Sequence, residues 1–267
     1  MRNGILLQLL ALSIFAAALS ARAAAESDGT VSPDLASPKV GAFVQEAQSP
    51  APDWLGPLDS LQIPVPSEQD VFRDPNTPVL GNPDGDINVV EFFDYHCGYC
   101  KKVAGDLKEL IGTDSGIRLV MKEYPILGED SVTAAKAALA AAKQGRYREM
   151  HEVLMAYRGQ FTQPALEALA AEAQVDAQRM FSDMQAPEIR DQISKTLLQG
   201  RGLGFRGTPG FIFGRFPVPG AISLGDMRTL VAEARRKACA SAPCLSPTSQ
   251  LAGDLLPPVA PVEDKSR

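Results

Sequence analysis

One stretch fixes most of what this chain can become: Glu91-Phe92-Phe93-Asp94-Tyr95-His96-Cys97-Gly98-Tyr99-Cys100, where an apolar run ends in two cysteines separated by two residues. Upstream, Ile87, Val89, Val90, Phe92 and Phe93 form a nearly continuous apolar run behind the turn signal Asn82-Pro83-Asp84-Gly85-Asp86. This is the pattern of a short strand buried on both faces. Downstream, Cys100, Val103, Ala104, Leu107, Leu110 and Ile111 recur at helical spacing. The pair therefore sits where a strand turns into a helix.

That position has chemical consequences. A sulfur at a helix N-terminus meets unpaired backbone N–H groups and the positive end of the macrodipole, which favour thiolate over thiol. Cys97 is the expected nucleophile. Cys100, one turn deeper on the apolar face, is shielded from outside attack but can reach back, so it is the expected resolving thiol. Glu91, inside the apolar strand, would lie beneath the pair, where a desolvated carboxyl can relay the proton that Cys100 must lose. The alternative for Glu91 is a strand-edge residue facing water. The same cysteine spacing also serves structural zinc, which needs two further ligands. The chain offers His96, His151, Cys239 and Cys244 for that role, in no second Cys-x-x-Cys or His-x3-His arrangement.

The N-terminus reads as a secretory leader over residues 1–25: Arg2 supplies a positive start, Ile5 to Leu19 an apolar run, and Ala21-Arg22-Ala23 or Ala23-Ala24-Ala25 a small-x-small cleavage site. Export would place four cysteines in an oxidising compartment, where an even count is most simply two pairs. The net charge is -6, and removal of Arg2 and Arg22 with the leader makes it more negative. An acidic chain without a Lys/Arg cluster argues against nucleic acid as a partner. Residues 26–70 are rich in Pro, Ser, Ala and Asp, with Trp54, Leu55 and Leu58 as their apolar cluster, and read as an extended linker or arm.

A domain is expected over residues 71–240. Asp74-Pro75-Asn76-Thr77-Pro78 forms its first turn, and after the cysteine helix Ile117-Arg118-Leu119-Val120-Met121 reads as a second strand. Strand, helix, strand in that span is a βαβ unit with a parallel pair and a right-handed crossover. From about 129 to 204 the period changes to that of helices, four or five of them, divided by Gly145, Gly159, Pro164, Asp176 and Pro187. This block is a helical insertion between two β segments. His151 lies on one of its apolar stripes with Tyr147, Met150 and Leu154, as a satisfied core histidine does. Past Gly207-Thr208-Pro209-Gly210, Phe211-Ile212-Phe213 and Phe216-Pro217-Val218 flank Gly214-Arg215 as a hairpin, its second strand demoted to an edge by Pro217 and Pro219. Ser223 to Lys237 reads as a final helix. Cys239 and Cys244 then bracket a short loop, where a structural disulfide would contribute roughly 2 kcal/mol; a second redox centre is the alternative. Residues 241–267 are Pro-rich and read as a disordered tail.

The order of elements, with Cys97-Gly98-Tyr99-Cys100 opening the first long helix and Gly207-Thr208-Pro209 following the insertion, resembles the α/β thioredoxin fold of the DsbA family of exported thiol-disulfide oxidoreductases. The resemblance covers about residues 71 to 238. It implies that Pro209 is a cis-proline facing the cysteines, with Thr208 before it, and that Thr208, Pro209, Gly98 and Tyr99 form the surface meeting extended substrate segments. It implies a periplasmic protein with no cofactor beyond a redox-active Cys97–Cys100 disulfide and no metal. Its partners would be unfolded or misoxidised exported proteins, together with a membrane redox protein resembling DsbB or DsbD. Gly98-Tyr99 differs from the Pro-His of strongly oxidising members, so a less oxidising disulfide is expected. With Thr208 it is instead similar to the isomerase DsbC and to ScsC, although residues 26 to 70 lack the long helix through which those isomerases oligomerise. A Cu(I)-binding or copper-resistance module using the same two thiolates is the competing reading.

Overall fold

A computed structural model of the chain describes residues 63–241. The leader, nearly all of the arm, Cys244 and the tail lie outside the described residues, as does the side chain of Cys239, so the proposed Cys239–Cys244 pairing lies outside them too.

The described chain runs α1 (Glu68–Phe72), β1 (Val79–Gly81), β2 (Ile87–Phe93), α2 (Gly98–Thr113), β3 (Ile117–Glu123), α3 (Glu129–Ala142), α4 (Tyr147–Ala156), α5 (Gln163–Glu172), α6 (Ala177–Asp183), α7 (Pro187–Gly202), β4 (Gly210–Phe213), β5 (Phe216–Pro219) and α8 (Leu224–Ser241). The five strands make one mixed sheet in the order β1-β3-β2-β4-β5. β2 and β3 are parallel, joined by α2 as the βαβ pattern predicts, and the remaining pairings are antiparallel. β2 is central, and every residue in it except Asn88 is buried, which is why it reads as an unbroken apolar run. Gly214 carries the left-handed turn of the β4–β5 hairpin, at φ +59. β5 pairs with β4 alone, so Pro217 and Pro219 sit on an edge where missing N–H groups cost no ladder bond.

One face of the sheet is covered by α2 and α8, and the other by α1 and α7. Helices α3 to α7 form the insertion. α3 is the most buried of these, its small side chains Ala134, Ala135, Ala137, Ala138, Ala140 and Ala141 letting neighbouring elements approach from nearly all sides. Gly200 in α7 serves the same end: a Cβ there would stand 2.5 Å from the Tyr124 ring.

Two expectations need correction, and one strand carried no signal in the sequence. The arm does not extend to residue 70, because α1 starts at Glu68 with Ser67 as its N-cap and is clamped by Lys122 and Gln199 donating to the Asp70 carbonyl. β1 is a strand of three residues, too short to show a period of its own. β3 continues past Met121 through Lys122 and Glu123, both buried. Charged residues read as the end of a strand, but each of these has partners inside. Lys122 reaches Thr77 and the Asp70 carbonyl on one face, and Glu123 meets two tyrosines on the other.

Candidate active site

Cys97 is the N-cap of α2, in extended conformation, and its sulfur accepts from the Cys100 backbone N–H at 3.4 Å. The sequence dictates this: Asp94 closes a turn after β2, taking the Cys97 N–H on its carbonyl and the His96 N–H on its carboxylate, so the chain reverses into the helix at the cysteine. Both sulfurs are free thiols in this structure. Cys97 is 6% exposed, whereas Cys100 is fully buried against the sheet.

Their environments push the two thiols apart. The Cys97 thiol is lowered from its ordinary value of 9.0 to about 6, chiefly because the Cys100 thiol donates to its sulfur; burial opposes this, while the Thr208 side chain and the N–H groups of Cys100 and Tyr99 assist. Cys100 moves well upward, through burial first and then the neighbouring Cys97 charge. A lowered thiol stabilises the folded reduced state more as pH climbs from about 6 towards 9.0, and that gain is lost as pH falls through about 6. Alkylation of the reduced protein should therefore be half-maximal near pH 6 at Cys97, with Cys100 unreactive at neutral pH, as peptide mapping across a pH series would read.

Glu91 lies in β2, 1% exposed, on the sheet face that α2 covers. It does not face water. Burial, with a further contribution from the Cys97 charge, raises its carboxyl to about 8. Thr208 and Pro209 come to the same place from the far side of the insertion. The Cys97 thiol donates to the Thr208 carbonyl at 3.2 Å, and the Thr208–Pro209 peptide bond is cis. Gly98 is exposed at the first position of α2, with open space where a Cβ would stand, and Tyr99 is half-buried beside it. The two thiols, one acid and the Thr208 carbonyl can attack a disulfide, resolve the product and move the proton that step releases.

Three features escaped sequence reasoning. Asp94 is buried and joins the active-site turn to the start of the insertion: its carboxylate also accepts from Ser131 Oγ at 2.7 Å and from the Ile126 and Leu127 N–H groups at 2.9 and 3.0 Å. An aspartate three residues before the first cysteine was its one signal. Lys101, one helical turn past Cys97, donates to the carbonyls of Leu154, Met155 and Tyr157 at the end of α4. Its spacing from Cys97 was visible in the sequence, its α4 partners were not. Burial, then the Arg158 charge, lowers its amine to about 8. His96 points away from the thiols, its Nε2 2.5 Å from Asp130 and its ring against Phe161. His151 is a paired core histidine, with Nδ1 3.0 Å from the Tyr95 hydroxyl and its ring stacked on Tyr147. Burial drops its pKa to about 3, so it is neutral.

The family described as DSBA-like thioredoxin domain matches residues 88–232. A thioredoxin-like oxidoreductase from Silicibacter pomeroyi DSS-3 is 41% identical, over 64% of this chain and 99% of that one, with a TM-score of 0.62. The thiol-disulfide exchange protein alpha-DsbA2 from Wolbachia pipientis is 31% identical, over 62% of this chain and 90% of its own, with a TM-score of 0.59. Among curated proteins, a sodium/proton antiporter from Salinispora arenicola is 31% identical over 121 residues, 45% of this chain, but the match spans only 18% of the antiporter's length. The likeness is to one part of that longer protein. Among the described residues no helix is long and apolar enough to cross a membrane.

Proposed function

The chain belongs to the DSBA-like thioredoxin family, and from that premise we propose that it is an exported thiol-disulfide oxidoreductase acting on disulfides of secreted proteins in the periplasm. In this reading Cys97 is the nucleophile, Cys100 the resolving thiol and Glu91 the acceptor of the Cys100 proton. The observation that carries it is the placement of the two thiols: Cys97 caps α2 with its sulfur accepting from the Cys100 N–H, and Cys100 lies buried one turn deeper, within reach of it. Thr208 supplies a backbone carbonyl beside the nucleophile, and with Pro209, Gly98 and Tyr99 forms the surface on which an extended segment can pair by main-chain hydrogen bonds. Such pairing suits many unfolded substrates. The N-terminal stretch that reads as a leader supports export.

The direction of electron flow follows from the membrane partner. A quinone-linked partner resembling DsbB would keep the pair oxidised, and one resembling DsbD would keep it reduced. Gly98-Tyr99 between the cysteines and Thr208 before the proline favour the second, with the protein acting as isomerase or reductase. Thiol alkylation in acid-quenched cells should accordingly find Cys97 and Cys100 mostly reduced. A mostly oxidised pair would reverse the assignment to oxidase.

A further inference from the structure

Two buried acids lie on the sheet face beneath α2, and the thiol chemistry uses only one. In the β2–β3 register Glu91 stands opposite Met121 and Phe93 opposite Glu123, so Glu91 and Glu123 share a face as diagonal neighbours. Glu123 is 2% exposed. Its Oε1 accepts from the Tyr147 hydroxyl at 2.7 Å and the Tyr95 hydroxyl at 3.1 Å, and Tyr95 in turn meets His151 Nδ1 at 3.0 Å. Tyr95 is two residues before Cys97, so this network ends in the active-site turn. Each acid leaves one buried oxygen without a hydrogen-bond partner among the described residues, Oε1 of Glu91 and Oε2 of Glu123, but Glu123 alone has its charge held by two hydroxyls.

This asymmetry decides where a single negative charge will reside. Two carboxyls this close in a dry site do not both ionise easily, and the one that accepts two hydroxyl bonds ionises first. Burial is the first cause that raises both, each to about 8; at Glu123 the Tyr147 and Tyr95 hydroxyls oppose it, and the Asp94 and Glu91 charges add to it. Asp94 and Tyr95 from the turn, Cys97, Cys100 and Lys101 from α2, and Tyr147 and His151 from α4 are the other titratable groups around the pair. A cleft of about 290 Å³ between α2 and α4, lined by Glu91 and His151 and bordered by Lys108, Arg148, Glu152 and Arg158, opens a way for protons to reach solvent.

We propose that Glu123 is a positioning residue for the exchanged proton: its carboxylate, held by Tyr95 and Tyr147, opposes ionisation of Glu91 and so sets the pH above which Glu91 is the carboxylate that can accept the Cys100 proton. In the resolving step the Cys100 S–H proton passes to the Glu91 carboxylate and the Cys100 sulfur bonds to Cys97. The substrate sulfur leaves as thiolate with the electron pair of the broken Cys97–substrate bond. The inference rests on the roles proposed for Cys97, Cys100 and Glu91.

A symmetric aromatic disulfide with a coloured thiolate tests it with the full chain. The first equivalent of colour reports attack by Cys97, and the second reports resolution by Cys100. Glu123→Gln keeps an oxygen acceptor for the tyrosines but removes the charge. It should leave the first phase at one equivalent and move the pH midpoint of the second phase down by at least about one unit. Tyr147→Phe, which keeps the acid but weakens its hold on the charge, should move the midpoint the same way by less. A second-phase midpoint that stays put in both variants overturns the inference, even if rates fall, because a purely structural role alters rates without displacing the midpoint. A wild-type protein that gives no second phase would overturn the proposed function instead.

Discussion

Cys97→Ala should abolish disulfide exchange, whereas Cys100→Ala should leave the first step running and stall the second. Cys97 is the thiol that combines access with a lowered pKa, and Cys100 is fully buried with its own pushed well up. Loss of the nucleophile should therefore reduce turnover by at least about a thousandfold, on the order of 4 kcal/mol of barrier. In Cys100→Ala the mixed disulfide on Cys97 has no internal thiol to displace it, so covalent adducts should accumulate on non-reducing gels. A subsidiary effect has a definite sign. The Cys100 thiol is the first cause of the lowered Cys97 value, so its removal shifts the reactivity of Cys97 to higher pH. Adducts should consequently form more slowly at pH 6 than at pH 8. Equal trapping by the two variants would reverse or void the assignment of roles.

Asp94→Ala should be the most damaging substitution outside the sulfur pair. The carboxylate collects three backbone N–H groups and one hydroxyl from two parts of the chain, the active-site turn and the stretch from Ile126 to Ser131 that leads into the first turn of α3. Each donor left dry costs about 1–3 kcal/mol, and water can reach those at the half-buried His96 and Leu127. A net loss of roughly 3–5 kcal/mol follows, or a melting temperature lower by about 10 °C. Ser131→Ala removes one donor and leaves the acceptor served by three others, so it should cost about 1 kcal/mol. Thermal melts of both variants check this, and an Asp94→Ala protein as stable as the parent would show that the turn is held by other means.

The parts of the fold that were legible share one property: their side chains answer to a single local environment. β2 reads as a buried strand because every position but Asn88 is buried, and α2 reads as a helix because Cys100, Val103, Leu107 and Leu110 line one buried face. Glycines and prolines at the β4–β5 hairpin follow equally from local geometry. What escaped notice depends on partners far along the chain. Lys122 and Glu123 look like the solvated end of a strand until Thr77 and Asp70 on one side and Tyr95 and Tyr147 on the other are brought to them. Lys101 looks like any exposed helix cation until the end of α4 presents it with three carbonyls. At the site, the placement of Cys97 at the start of α2 and of Cys100 one turn deeper in the core could be reasoned from helix position alone. The second acid could not, because only the parallel register of β2 and β3 puts Glu123 on the same face as Glu91.

In the proposed mechanism Cys97 and Cys100 form one reversible two-electron couple. Equilibration of the purified protein with mixtures of reduced and oxidised glutathione, followed by acid quenching and peptide mapping, tests it most directly. A single Cys97–Cys100 disulfide should appear along one two-electron curve, with glutathione adducts on Cys97 alone at its midpoint. A Cys97–Cys100 disulfide that never forms, or adducts that fall on Cys100, would contradict it.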